Sequence, residues 1–199
     1  ARYQGIGPFG GLNVLDTTLS QGITGLGAND GDDTLLSRSA AEPDFTKIEL
    51  SWRHQRALMQ NLVMTTHIEG QKASRALLSS EEFGFGGSSL GRAFDSSELV
   101  GDDGIAGSIE LQFTGLDKSG PFQITPSVFY DIGKVWNRDD NQLDGISAAS
   151  AGVGLNIATD HGISANIEFA QPLTKPIDTP PKGNNGKNMR TNFALRLQF

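Results

Sequence analysis

Arg92 is the one arginine in a glycine- and serine-rich stretch running from Gly84 to Gly104. Connections of this length without secondary structure of their own are uncommon, and those that persist are either functional or disordered. This one reads as functional. Farther along, Phe129-Tyr130-Asp131-Ile132-Gly133 places a carboxylate on the polar side of an alternating segment. A guanidinium is a planar fork that can hold a carboxylate through paired hydrogen bonds. By default a lone arginine in such a loop sits in solvent. The alternative is that the loop folds back and Arg92 reaches Asp131, with Glu110, on the segment between them, as a competing partner. Gly101-Asp102-Asp103-Gly104 reads equally well as a simple turn, because Asp and Gly supply turn geometry by themselves.

No other constellation suggests chemistry, so an enzyme is disfavoured. His54, His67 and His161 are dispersed, neither H-E-x-x-H nor G-x-S-x-G occurs, and Glu81-Glu82 is a loop pair without a positioned base. No cofactor or metal is expected. His67 shares a face with Glu69 and reads as a hydrogen-bonded wall group. The acidic stretches 29–33 and 139–144 lack the calcium-loop spacing and read as solvated charge. With no cysteine there is no disulfide framework. A net charge of -7, with 16 basic residues that form no basic face, argues against nucleic acid as a partner.

The elements that must position Arg92 and Asp131 follow from periodicity. Apolar residues recur at every second position, the strand period, and no segment sustains a helical repeat. The chain therefore reads as all-β, with eight strands over 12–23, 45–56, 61–71, 105–114, 122–136, 147–159, 163–171 and 189–199 after an irregular start. Connections alternate: 57–60, 115–120 and 160–162 are short, whereas 25–43, 72–104, 137–146 and 172–188 are long. In an up-and-down meander all short connections fall on one side, as in outer-membrane barrels.

Mean hydropathy is -0.28, and no run approaches the ~18 apolar residues of a membrane helix. A barrel strand hides its lipid face in such an average. On 122–136, Ile124, Val128, Tyr130, Ile132 and Trp136 form one face, and Gln123, Thr125, Ser127, Phe129, Asp131 and Gly133 the other. Arg190 and Arg196 share the polar face of the last strand and need water or acidic partners. Trp52, Phe113, Phe122 and Phe199 near the turns, and Trp136 near the loops, suit two interfacial girdles. A soluble β-sandwich shows the same alternation and remains the competing fold. The start, Ala1-Arg2-Tyr3-Gln4, has no charged leader followed by an apolar run, and reads as a mature chain or, preferably, a piece of a longer one.

Three segments carry a resemblance: Leu90-Gly91-Arg92-Ala93-Phe94 with Gly101-Asp102-Asp103-Gly104, the wall segment Phe129-Tyr130-Asp131-Ile132-Gly133, and a last strand ending in Phe199. In these the chain resembles the outer-membrane transporters of two-partner secretion systems, the haemolysin secretion/activation family of the POTRA-barrel superfamily. The resemblance spans nearly all of the sequence. The family's loop motif is Val/Leu-Arg-Gly-Tyr/Phe, and its arginine contacts the aspartate of an F-x-D-x-G wall motif. The wall motif is intact as Phe129, Asp131 and Gly133, whereas Ala93 stands where the family has glycine.

The resemblance implies the C-terminal half of a sixteen-stranded transmembrane barrel in the outer membrane of a Gram-negative bacterium, preceded in the family by POTRA domains. The implied function is translocation of a large secreted exoprotein without cofactor or nucleotide hydrolysis, with 72–104 as a loop folded into the lumen. Implied partners are the exoprotein, outer-membrane lipid and, during biogenesis, the barrel assembly machinery. Phe193, Leu195, Leu197 and Phe199 would form the family's C-terminal insertion signal. Two alternatives stay open: an assembly factor of the same superfamily that inserts other barrels, and a small structural or adhesive barrel.

Overall fold

A computed structural model describes residues 1–7, 10–24, 37–38, 40–114, 120, 122–138, 145–174 and 188–198. Its elements are strands: β1 (Arg2–Ile6), β2 (Leu12–Gln21), β3 (Thr46–Met59), β4 (Leu62–Ala73), β5 (Phe83–Phe85), β6 (Leu99–Gly101), β7 (Asp103–Phe113), β8 (Phe122–Trp136), β9 (Ile146–Thr159), β10 (Ile163–Pro172) and β11 (Arg190–Leu197). Nine of them form one sheet in the order β1-β2-β3-β4-β7-β8-β9-β10-β11, and β5 pairs with β6 separately. Each neighbouring pair in the large sheet is antiparallel. The fold is therefore an all-β, up-and-down barrel wall whose edges are β1 and β11.

Three features differ from the sequence expectation. The start expected to be irregular contains β1, which pairs with β2 from Arg2 opposite Asp16 to Ile6 opposite Leu12. Five residues are too few for alternation to be legible, and the partner strand supplies the missing half of the hydrogen bonding. The loop 72–104 contains the three-residue strands β5 and β6, which pair Phe83 with Gly101 and Phe85 with Leu99. The expected break at 57–60 is displaced, since β3 runs on to Met59 through a bulge between Ala57 and Met59.

Alternation fixes which way each side chain points. Register places Val128 opposite Val153 and Asp131 opposite Ser150. The outer face carries Ile48, Leu50, Ile109, Val128, Ile132, Val153, Phe169, Phe193 and Leu195, all exposed. A sandwich would bury such a face under a second sheet. Here the second sheet is the small β5-β6 hairpin, which packs with β7 and β8 on the inner face. An exposed apolar band around a polar interior is the arrangement of a wall that meets lipid.

The largest buried cluster lies between the loop and the inner wall. Phe83, Phe85, Leu90, Phe94 and Leu99 from the loop meet Ala106, Val135 and Ala148 from β7, β8 and β9. Burying an aromatic or leucine side chain contributes about 1.5–3 kcal/mol. Several such residues together offset part of the backbone entropy lost on ordering a long loop, and the polar contacts of the loop must supply more.

Candidate functional site: the docked loop and the inner wall

The loop reaches the wall through a turn built around Gly91. Gly91 has φ of 76°, in the left-handed region, and the Phe94 amide donates to the Gly91 carbonyl at 2.9 Å. Ala93 has no positive φ, so alanine at the position where the resembling family has glycine is accommodated without backbone strain. Phe94, only 1% exposed, packs on Phe85 with ring centroids 5.9 Å apart.

This turn delivers Arg92 to Asp131 through its backbone and its side chain together. The Arg92 amide donates to Asp131 Oδ2 at 3.0 Å, Nε to the same oxygen at 3.2 Å, and Nη2 to Oδ1 at 3.0 Å. Nη1 donates to Glu110 Oε2 at 2.7 Å and to Glu168 Oε1 at 3.3 Å. The guanidinium also lies over the Phe129 ring, 3.4 Å from its centroid. Glu110, expected as a competitor of Asp131, is instead a second partner of the same cation.

Hydroxyl and amide groups complete the carboxylates. Ser108 Oγ donates to Asp131 Oδ1 at 2.7 Å, Ser150 Oγ to Oδ2 at 3.3 Å, and Gln112 Nε2 to Glu110 Oε1 at 2.9 Å. On β11, Asn192 Nδ2 donates to the Arg92 carbonyl at 3.0 Å, and Arg190 pairs with Asp95 of the loop. Burial pulls the Arg92 guanidinium down, yet the hydrogen bond and charge of Asp131, then those of Glu110, outweigh it and hold its pKa above the ordinary arginine value.

A second knot holds the base of the loop. Asp102 is fully buried and accepts from Arg38 Nη1 at 2.7 Å, the Leu77 amide at 2.6 Å and the Arg138 amide at 2.7 Å. Asp103 accepts from Lys72 Nζ at 2.6 Å and the Ala73 amide at 2.8 Å. The segment read as a simple turn thus joins the connections β2–β3, β4–β7 and β8–β9.

Gly133 completes the contact between motif and loop. The Phe85 ring occupies the space that a Cβ at Gly133 would need, and Gly104 stands in the same relation to Phe83. A polar cavity of about 430 Å³ opens in front of Arg92, lined by Arg53, His67, Ser108, Glu110 and Glu168 among others. Beside it a cleft of about 620 Å³ receives Arg196 among Thr125, Ser127, Asn156 and Asn166.

The remaining expectations distribute as follows. Phe193, Leu195 and Leu197 project from the outer face of β11, whereas Phe199 lies outside the described residues. The acidic stretches 29–33 and 139–144 also lie outside them. His67 Nε2 is 3.0 Å from Glu69 Oε1 and 3.3 Å from Ser51 Oγ, as a wall group. Among the described residues no cluster of His, Asp and Glu could hold a metal ion. Sequence reasoning missed Glu168, Ser108, Ser150, Asn192 and Arg38. Alternation puts the first four on the polar face, and no local pattern marks Arg38.

The chain is similar in fold to CdiB from Escherichia coli, with a TM-score of 0.78 at 18% identity over 98% of this chain. It spans 35% of that structure's chain. No curated protein matches it. Residues 8–157, which include the whole Arg92 loop and the Asp131 wall motif, match the haemolysin secretion/activation protein ShlB/FhaC/HecB family, and the chain belongs to that family.

Proposed function

We propose that this chain is the C-terminal half of an outer-membrane barrel that translocates a large secreted exoprotein in a two-partner secretion system, and that the Arg92 loop is its lumenal conformational element. The observation that carries this reading is the seating of Arg92 on the inner wall, where one guanidinium is held by Asp131, Glu110 and Glu168 from β8, β7 and β10. The tip of the loop can leave on its own, because loss of the Arg92 cluster removes the tip's main polar anchor while the base stays tied through Asp102 and Asp103 and the wall keeps its own hydrogen bonds. Leaving would enlarge the space between the loop and the polar wall through which an extended chain passes. Family membership favours secretion over assembly of other barrels. Phe193, Leu195, Leu197 and Phe199 serve as the insertion signal read by the barrel assembly machinery.

The test is secretion by the full-length protein carrying Arg92→Ala or Asp131→Ala, measured beside its outer-membrane level. Secretion should fall while the barrel still inserts. Normal secretion by both variants would remove the loop from the mechanism.

A further inference from the structure

On the side of the long connections, the outer face of β4, β7 and β8 and the residues after it carry, among the described residues, three cations, Lys72, Lys134 and Arg138, around one carboxylate, Asp103. Lys134 Nζ lies 5.2 Å from the centroid of the Trp136 ring, and among the described residues no carboxylate stands within ion-pairing distance of it. Register sets Lys134 opposite Ile105 and Trp136 opposite Asp103. Lys72 Nζ and Arg138 Nη2 both donate to Asp103, at 2.6 and 3.0 Å, so two cations share one carboxylate. The Lys72 side chain nonetheless remains 68% exposed. Immediately toward the middle of the wall, Ile105 and Ile132 are 53% and 49% exposed.

Apolar side chains, then an amphipathic ring, then excess positive charge is the order in which a leaflet presents acyl chains, interface and anionic headgroups. A second copy meeting this rim about a two-fold axis would bring like charges together. We propose that Lys72, Lys134 and Arg138, arranged around Trp136, bind the phosphate groups of a phosphorylated glycolipid in the external leaflet. Lysine acts on phosphate as a point charge, and Trp136 fixes the level at which that charge sits. The inference rests on the proposed placement of the long connections outside the cell, but its readout is lipid binding and not secretion.

Full-length protein in detergent is titrated with bisphosphorylated lipid A and with the same lipid after dephosphorylation, and binding is read by native mass spectrometry. Lys134→Gln, which breaks no ion pair among the described residues, should weaken binding of the phosphorylated lipid about fivefold, and Lys72→Gln with Lys134→Gln about 25-fold. Neither change should alter binding of the dephosphorylated lipid. Arg56→Gln, at the opposite rim, should leave both affinities as they are. Equal wild-type affinity for the two lipids, or unchanged binding in the Lys134→Gln protein, overturns the proposal.

Discussion

Phe85 stands where a side chain at position 133 would have to go, so the glycine of the wall motif and an aromatic residue of the loop define one another's space. The absence of a Cβ at Gly133 lets the Phe85 ring lie against β8, and with it the hairpin that presents Arg92. The conformational freedom of this glycine is secondary to its small volume.

Gly133→Val should therefore dislodge the loop without dissolving the wall, at a cost of about 1–3 kcal/mol for overpacking. Phe85→Ala in the same protein should restore part of what is lost. Limited proteolysis of 74–102 in the inserted barrel reads the outcome, and independent, additive effects of the two substitutions would show that they do not share a contact.

Removal of Arg92 leaves Asp131, Glu110 and Glu168 facing one another without their shared cation. A buried pair that loses one partner costs roughly 3–5 kcal/mol, less in a wet lumen. Arg92→Ala with Asp131→Ala should accordingly be little worse in secretion than either single change. Arg92→Lys should fail as well, because an ammonium cannot span Asp131, Glu110 and Ser108 as the planar fork does. Full secretion by Arg92→Lys would reduce the arginine to a simple charge.

Asp102→Asn keeps the size of the side chain but removes the charge that Arg38 faces and one of the acceptors used by the Leu77 and Arg138 amides. The expected result is faster cleavage in the long connections, with the heat-modifiable mobility of the barrel in gels unchanged. Protection equal to wild type would mean that the backbone hydrogen bonds suffice.

The exposed apolar outer face sets a condition on folding. The chain should take up β-structure in detergent or lipid and aggregate without it, measured by circular dichroism after refolding with and without micelles. A cooperative monomeric fold in plain buffer would contradict a lipid-facing wall.

Strand period and face polarity are local properties, and with the alternation of short and long connections they favoured an up-and-down barrel wall over a sandwich; the exposed apolar outer face in the structure decided between the two. Alternation put Asp131 inward because the side-chain period of a strand is two, whatever the strand pairs with. Short elements escaped for the converse reason: β1, β5 and β6 have too few residues to show a period and exist through their partners. The seating of Arg92 was decided by tertiary structure, since its contacts lie 39 positions away at Asp131 and 76 at Glu168. No local pattern records which of several inward carboxylates a loop will meet. Likewise, Asp102 and Asp103 look like turn residues in sequence, and only the convergence of three connections makes them the ionic centre of the loop's base.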